Sequence, residues 1–213
     1  MANTSKIRGF VPVKHLGGSA WNGQTTIYAV SASNGTAIFV GDSVKLAADG
    51  NSSGYQFVNP HAAGTAGTGQ AAVGVVVGVV NTKLDPVTGK LTAGSIALDT
   101  PQYVAASTAA YVLVVDDPTV VYEVEATNAG TAYSFAVADV GQNANVNAGA
   151  GSTSTGTSAF SLDMNDKGTT ATLPFRILGV STKVDNEVTG NYTKVLVKLN
   201  NSQLQGGTGT AGV

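Results

Sequence analysis

The sequence predicts an all-β fold, an antiparallel β-sandwich or barrel with an extended N-terminal arm and very little helix, on three observations. The first is the stretch 111–126, YVLVVDDPTVVYEVEA, in which two apolar, β-branched runs flank Asp116-Asp117-Pro118. An Asp at the head of a turn accepts a hydrogen bond from the backbone ahead of it, and Pro presets φ, so the stretch reads as strand, turn, strand: a hairpin. The second is regular punctuation from residue 25 onward by Asn34-Gly35, Asp49-Gly50, Asp85-Pro86 with Gly89, and Asp185-Asn186 followed by Gly190. Short strands at such spacing argue for a sandwich or barrel rather than for alternating β-α units. The third is that helical spacing is confined to residues 131–140, where Tyr133, Val137 and Val140 recur at offsets of four and three. That run supplies one or two turns at most.

Taken in order, residues 1–23 show no sustained periodicity and carry Gly9, Pro12, Gly17, Gly18 and Gly23, the pattern of an extended arm. Its apolar anchors are Phe10, Val11, Val13, Leu16 and Trp21, the last being the only tryptophan of the chain. Strands are predicted at 25–31, 37–40, 43–46, 55–58, 73–80, 95–98, 111–115, 120–125, 159–162, 173–182 and 193–199. The run VGVVVGVV at 73–80 is the most apolar, but a membrane helix needs about 20 residues, so it reads as a buried strand. Along 120–125, Val120, Tyr122 and Val124 alternate with Val121, Glu123 and Glu125, so toward its end the strand has an apolar face and an acidic face. Residues 24–205 are read as a single β domain, with a subdivision near 141–158. There the Gly/Ala/Asn/Ser/Thr-rich segment 142–158 has the composition of a flexible linker, or of a loop pinned to a neighbouring subunit. Two further Gly-rich stretches are 62–69 and the C-terminal 206–213, the latter read as a flexible tail.

Only 11% of the residues are charged, against roughly 25% in ordinary soluble domains, while 43% are hydrophobic. The surface must therefore be covered by small polar residues, with little charge to repel a neighbouring copy, which favours oligomers. The net charge of −2 is unevenly spread. Lys6, Arg8 and Lys14 are the only charges before Asp42. Between Lys90 and Lys167 the charged residues are all acidic: Asp99, Asp116, Asp117, Glu123, Glu125, Asp139, Asp163 and Asp166. A basic arm and an acidic body suggest complementarity between copies or with a partner.

The absence of cysteine rules out disulfides, thiolate metal sites and a Cys nucleophile. The opening MANTSKIRGF is followed by no apolar signal region, so cytoplasmic synthesis is expected, and the Asn-x-Ser/Thr triplets at Asn3, Asn34, Asn51, Asn191 and Asn200 are read as chance. Gly207, Gly209 and Gly212 match G-x-G-x-x-G, but a phosphate site also needs a strand before and a helix after. Gly149, Gly151 and Gly156 are followed by no Lys of a Walker-type loop. His15 and His61, the only histidines, lack a G-x-S-x-G elbow or a clustered ligand set. Asp116, Asp117, Glu123 and Glu125 invite comparison with a calcium loop or paired glycosidase acids. The alternating ligand pattern with Gly is missing, so turn chemistry and a solvated or interfacial strand face explain them better. Basic residues are scattered, with no stripe interleaved by aromatics, so nucleic acid is not expected as a partner, nor is a membrane. No catalytic residue, metal or cofactor is expected.

Several blocks carry a family likeness. They are RGFVPVKHLGGSAWNGQTTIYAV at 8–30, Gly41-Asp42-Ser43-Val44-Lys45-Leu46, the run 73–80, and Asp116-Asp117-Pro118 with Val121, Tyr122 and Glu123. Asp139-Val140-Gly141-Gln142-Asn143-Ala144 and Phe175-Arg176-Ile177-Leu178-Gly179-Val180, with Asp185-Asn186 after it, complete the set. In this order the blocks resemble a group of tailed-bacteriophage virion proteins, the capsid cement or decoration proteins. That resemblance implies a non-enzymatic structural protein on the outer capsid surface, whose partners are the major capsid protein and itself, as a homotrimer. It implies no catalytic residues. The expected capsid or subunit contacts are Lys6, Arg8, Phe10, Lys14, Trp21, Asp116, Asp117 and Glu123. The alternative is a head-fibre or host-surface, carbohydrate-binding module, which would want more exposed aromatics than a chain with 7% aromatic residues and one Trp provides.

Overall fold

The computed structural model describes residues 3–62, 69–80, 102–206 and 208–213. Among these the chain is all-β, as the sequence predicts, with thirteen strands and one 3-10 turn. The expected strand at 95–98 and the Asp85-Pro86 turn lie outside the described residues, as does most of the Gly-rich stretch 62–69.

The strands form two closed sheets. The first joins β2 (Thr26–Val30), β4 (Ser43–Gly50), β5 (Gln56–Pro60), β6 (Gly74–Val80) and β8 (Ala110–Val115) in the order β2-β5-β4-β6-β8, returning to β2. A short pair, β3 (Ile38–Phe39) with β7 (Tyr103–Val104), sits beside it. The second sheet uses β9 (Val120–Thr127), β10 (Asn143–Asn147), β11 (Ser161–Gly168), β12 (Phe175–Val180) and β13 (Lys194–Leu199) in the order β9-β11-β10-β12-β13. The pairing of β13 with β9 joins its ends. Closure removes the open edges that would otherwise template aggregation. Pairing is antiparallel except for β2 with β5 and β9 with β11.

The strands β8 and β9 do not form the hairpin that the sequence predicts. Both edges of β8 are taken by β2 and β6, so β9 has no edge to pair with and enters the second sheet. The turn itself is as expected: the Asp117 carboxylate accepts from the Thr119 amide at 2.7 Å, and the Val120 amide donates to the Asp117 carbonyl at 3.1 Å. It is a corner between two barrels, and the buried Tyr122 hydroxyl spans it by donating to the Val115 carbonyl at 3.0 Å.

The predicted arm belongs to the second barrel. Its residues Val11–His15 form β1, which pairs antiparallel with β9. Phe10 is 1% exposed and stacks on Phe175 at 4.4 Å, while Tyr122 meets the same ring edge-on at 6.5 Å. Trp21 packs half-buried against this core. Ahead of Phe10 the chain passes close to Gly41. A Cβ on Gly9 (φ +74°) would lie 2.3 Å from the Gly41 carbonyl oxygen, and one on Gly41 (φ +102°) 2.5 Å from that of Arg8. Two glycines are therefore required for this crossing.

The low-complexity segment is no free linker. It contributes β10, buried over Asn143–Val146, and its remainder lies against the first barrel: the Val40 amide donates to Gly156 and the Ser158 amide to Val40. At Gly151 a Cβ would strike the Phe39 ring at 2.4 Å, so small residues here serve close packing between the barrels. Composition cannot separate that use from flexibility. The 206–213 stretch is likewise held along its described residues. The Val213 amide donates to Gly141, Gly212 to Thr169, and Arg176 reaches the Thr210 and Ala211 carbonyls. Of the predicted helix at 131–140 only Val137–Asp139 forms, as a 3-10 turn, because Val137 points outward at 66% exposure while Tyr133 and Val140 face the core.

Each barrel has its own core, around Val44, Val58, Val76 and Val114 in the first and Tyr122, Leu162, Phe175 and Val197 in the second. Because Phe10 is a core residue of the second barrel, Phe10→Ala should cost about 3–5 kcal/mol, read as a lower urea midpoint. Removing residues 1–23 should unfold the second barrel rather than leave an intact body, and loss of its cooperative transition is the check.

Candidate functional site

The densest group of charges is the outer face of β9. Apolar Val120, Tyr122, Val124 and Ala126 point into the second core, so Glu123 and Glu125 point the other way. Sequence alternation predicts that face; it does not show that residues 3–9 run across it. Both carboxylates are buried, Glu123 at 3% and Glu125 at 4% exposure. Glu123 accepts from Ser181 Oγ at 2.6 Å, Lys183 Nζ at 2.8 Å and Arg8 Nη2 at 3.2 Å. Glu125 accepts from the Lys6 amide at 2.8 Å and Ser5 Oγ at 2.9 Å. Beside them Lys6, Arg8, Gly9 and Lys194 line a shallow cleft. Burial alone would raise the Glu123 carboxyl. Hydrogen bonds from Lys183 and Ser181, with the charges of Lys183 and Arg8, outweigh it and hold Glu123 below the usual carboxylate range.

The structure thus brings together three of the sequence-predicted contact residues, Lys6, Arg8 and Glu123, but inside one chain. Phe10 is buried beneath them. Lys14 lies on β1 with an exposed side chain, opposite Val121 of β9. Asp116 and Asp117 belong to the corner. Asp116 accepts from the Tyr28 hydroxyl at 2.9 Å, and Asp117 accepts from the Thr119 hydroxyl at 2.7 Å and lies 3.4 Å from His15 Nδ1. The Thr119 hydroxyl also lies 3.3 Å from His15 Nδ1, so His15, Asp117 and Thr119 form one cluster at the corner. Trp21 holds its Nε1 buried and without a partner among the described residues.

Sequence reasoning missed Ser5, Ser181, Lys183 and Lys194, since nothing local marks them as facing β9. The one available signal was the need for bases to answer an acidic strand. A second missed group sits behind the 3-10 turn, where Asp139 accepts from the Ala136 amide and the Tyr133 hydroxyl and pairs with Lys167. Burial would raise Asp139, but these partners hold it low. The group ties β11 to the turn.

Two buried titratable residues mark the start of β4 and the end of β5. Asp42 is 1% exposed; its Oδ2 accepts from the Phe39 amide at 2.8 Å while Oδ1 has no partner among the described residues. Burial pushes its carboxyl up to about 7, opposed by Ser158 and the Phe39 amide. His61 is 0% exposed; Nε2 lies 2.9 Å from the Gln70 carbonyl, which makes Nε2 the protonated nitrogen, and Nδ1 has no partner among the described residues. Burial lowers its pKa to about 4. The His61 amide donates to Ser43, next to Asp42. Among the described residues no three His, Asp or Glu side chains are grouped to hold a metal, and no helix is long and apolar enough to cross a membrane.

Comparison with known proteins returned no match to a family model, a curated protein or a solved structure.

Truncating Glu123 to Ala should cost about 2 kcal/mol, because buried Ser181 loses its acceptor. Arg8→Ala should cost well under about 1 kcal/mol, its side chain being 55% exposed. Urea denaturation of both variants orders the two effects. Asp42 and His61 impose opposite pH dependences. A raised Asp pKa means that the folded state binds the extra proton, so its share of stability falls as pH rises from about 4 to about 7. A lowered His pKa means that the unfolded state binds it, so stability rises from about 4 to about 6.5. The wild type should therefore be nearly flat across that range. Asp42→Asn should expose a rise of roughly 3 kcal/mol and His61→Gln a fall of roughly 4 kcal/mol, measured by denaturant titration at pH steps.

Proposed function

We propose that this chain is a structural virion protein, a capsid cement or decoration protein that binds the outside of the major capsid protein lattice as an oligomer, a trimer by family likeness, and stabilises the shell. The observation that carries it is the ordered set of sequence blocks resembling that group. Those blocks fall on positions that hold the fold together: the segment wrapped on β9, the Gly9/Gly41 crossing, the corner, the 3-10 turn and β12. In support, the chain is built as two closed barrels with its terminal segments tied down, a body suited to bearing load. Its sparse charge suits a surface that ends against other protein.

The mechanism is mass action. A ligand that binds only the assembled lattice stabilises it, and an oligomer engaging several sites at once multiplies weak contacts through effective concentration. Arg8 is engaged with Glu123 through its guanidinium, whereas Lys6 meets Glu125 through its backbone amide and is exposed, so contact with the lattice is expected through surface that includes Lys6, Lys14 on β1 and the corner.

Particles with and without the protein should assemble alike, but those without it should release DNA at lower temperature. Genome release on heating and adsorption to host cells are scored together. Unchanged heat stability with reduced adsorption would replace cement by a host-binding module.

A further inference from the structure

The N-terminal segment is attached to the first barrel and packed mainly on the second, its contact with the first being the crossing at Gly41, where the Phe10 amide donates to the Gly41 carbonyl at 2.9 Å. By sequence it leads into β2, a strand of the first barrel, yet its side-chain partners belong to the second. Asn3 bonds Glu187, Ser5 and Lys6 bond Glu125, Arg8 bonds Glu123, Phe10 stacks on Phe175 and β1 pairs with β9. The segment ends in a small hairpin of its own, in which the His15 amide donates to Ser19 and the Trp21 amide to Val13. Residues 3–21 therefore form one unit. The link that follows is of another kind: Asn22, Gly23 and Gln24 are exposed and make no hydrogen bond among the described residues, and Gly23 (φ +86°) has open space around it.

We propose that residues 3–21 are an exchangeable clasp, docking on β9 of a second copy of this chain through the contacts they make on their own. The receptor is complementary and costly to leave bare. It presents the Phe175 ring and the two carboxylates of Glu123 and Glu125, which the segment covers with Phe10, Arg8, Ser5 and the Lys6 amide. Closed and exchanged forms satisfy it equally. The balance then rests on the link and on concentration, the condition under which swapping costs little. The low charge of the chain does little to keep copies apart. Exchange deepens the self-association named in the function proposed above and needs no capsid. An exchanged oligomer that ignores the lattice would end the cement proposal alone, and lattice binding by unexchanged chains would end this one alone.

The chain has no cysteine, so disulfide trapping is unambiguous. Ser5→Cys and Glu125→Cys, whose parent atoms lie 2.9 Å apart, are made as two single variants and co-refolded under oxidation. A reducible dimer band is expected, well above that from Ser5→Cys paired with the exposed Ser33→Cys, which reports random collision. Dimer no stronger than that control overturns the proposal. A second arm leaves the receptor untouched and reads mass by light scattering. Deleting residues 22–24 should shift the population to at least dimer. Lengthening the link by about six Gly/Ser residues, roughly 13 Å of reach, should shift it toward monomer. Masses indifferent to both changes overturn the proposal.

Discussion

A strand buried on both faces sets the terms for this molecule. All eight residues of β9 are buried, and two of them are glutamates. An ionised carboxylate withdrawn from water without partners costs several kcal/mol, so the chain must supply donors where β9 lies. It does so from two distant places, residues 5–8 at one end and the Ser181–Lys183 loop at the other. Arg8 and Lys183 keep half of their side-chain surface in water, which limits their own desolvation while they neutralise Glu123. The N-terminal segment is thereby a structural element of the second barrel.

The two barrels meet through polar and aromatic contacts as well as through a shared apolar surface. Ala72, Val75 and Val115 of the first side join the second core, and Tyr122 reaches back to the Val115 carbonyl. A close backbone crossing at Gly9 and Gly41, and the approach of Gly151 to the Phe39 ring, let loops of one barrel lie directly on the other. Asp42 follows the Gly41 crossing and His61 bonds the neighbouring Ser43; burial raises the Asp42 carboxyl and lowers the His61 imidazole, and each has one side-chain atom without a partner among the described residues. Their pH responses oppose one another, so the region bears two buried titratable side chains with little net response to mild acid.

These features bear on the proposed role. A capsid-stabilising protein must resist being pulled apart once bound, and closed sheets with their edges paired, as among the described residues here, resist unfolding from those edges. Among the described residues, part of the charge is paired on β9, at the corner and behind the 3-10 turn, where the Glu123 and Asp139 carboxylates are buried and their basic partners half or partly exposed.

What the sequence determined by itself was what depends on neighbours in the chain. The all-β class, most strands, the turn at Asp117 and the two-faced character of 120–125 follow from residue period and local hydrogen bonding, which act over a few positions. Local chemistry says that a chain turns; it does not say which edge receives the next strand. Only the tertiary structure decided that β8 and β9 separate into different barrels, because the edges of β8 were already occupied. Likewise, composition marks 142–158 and 206–213 as small and polar, which suits either freedom or close packing, and the surfaces opposite them decided for packing. At β9 the alternation showed two carboxylates facing away from a core. That they are covered by the chain's own N-terminal segment depends on contacts more than a hundred residues apart, and no local pattern encodes a partner at that distance.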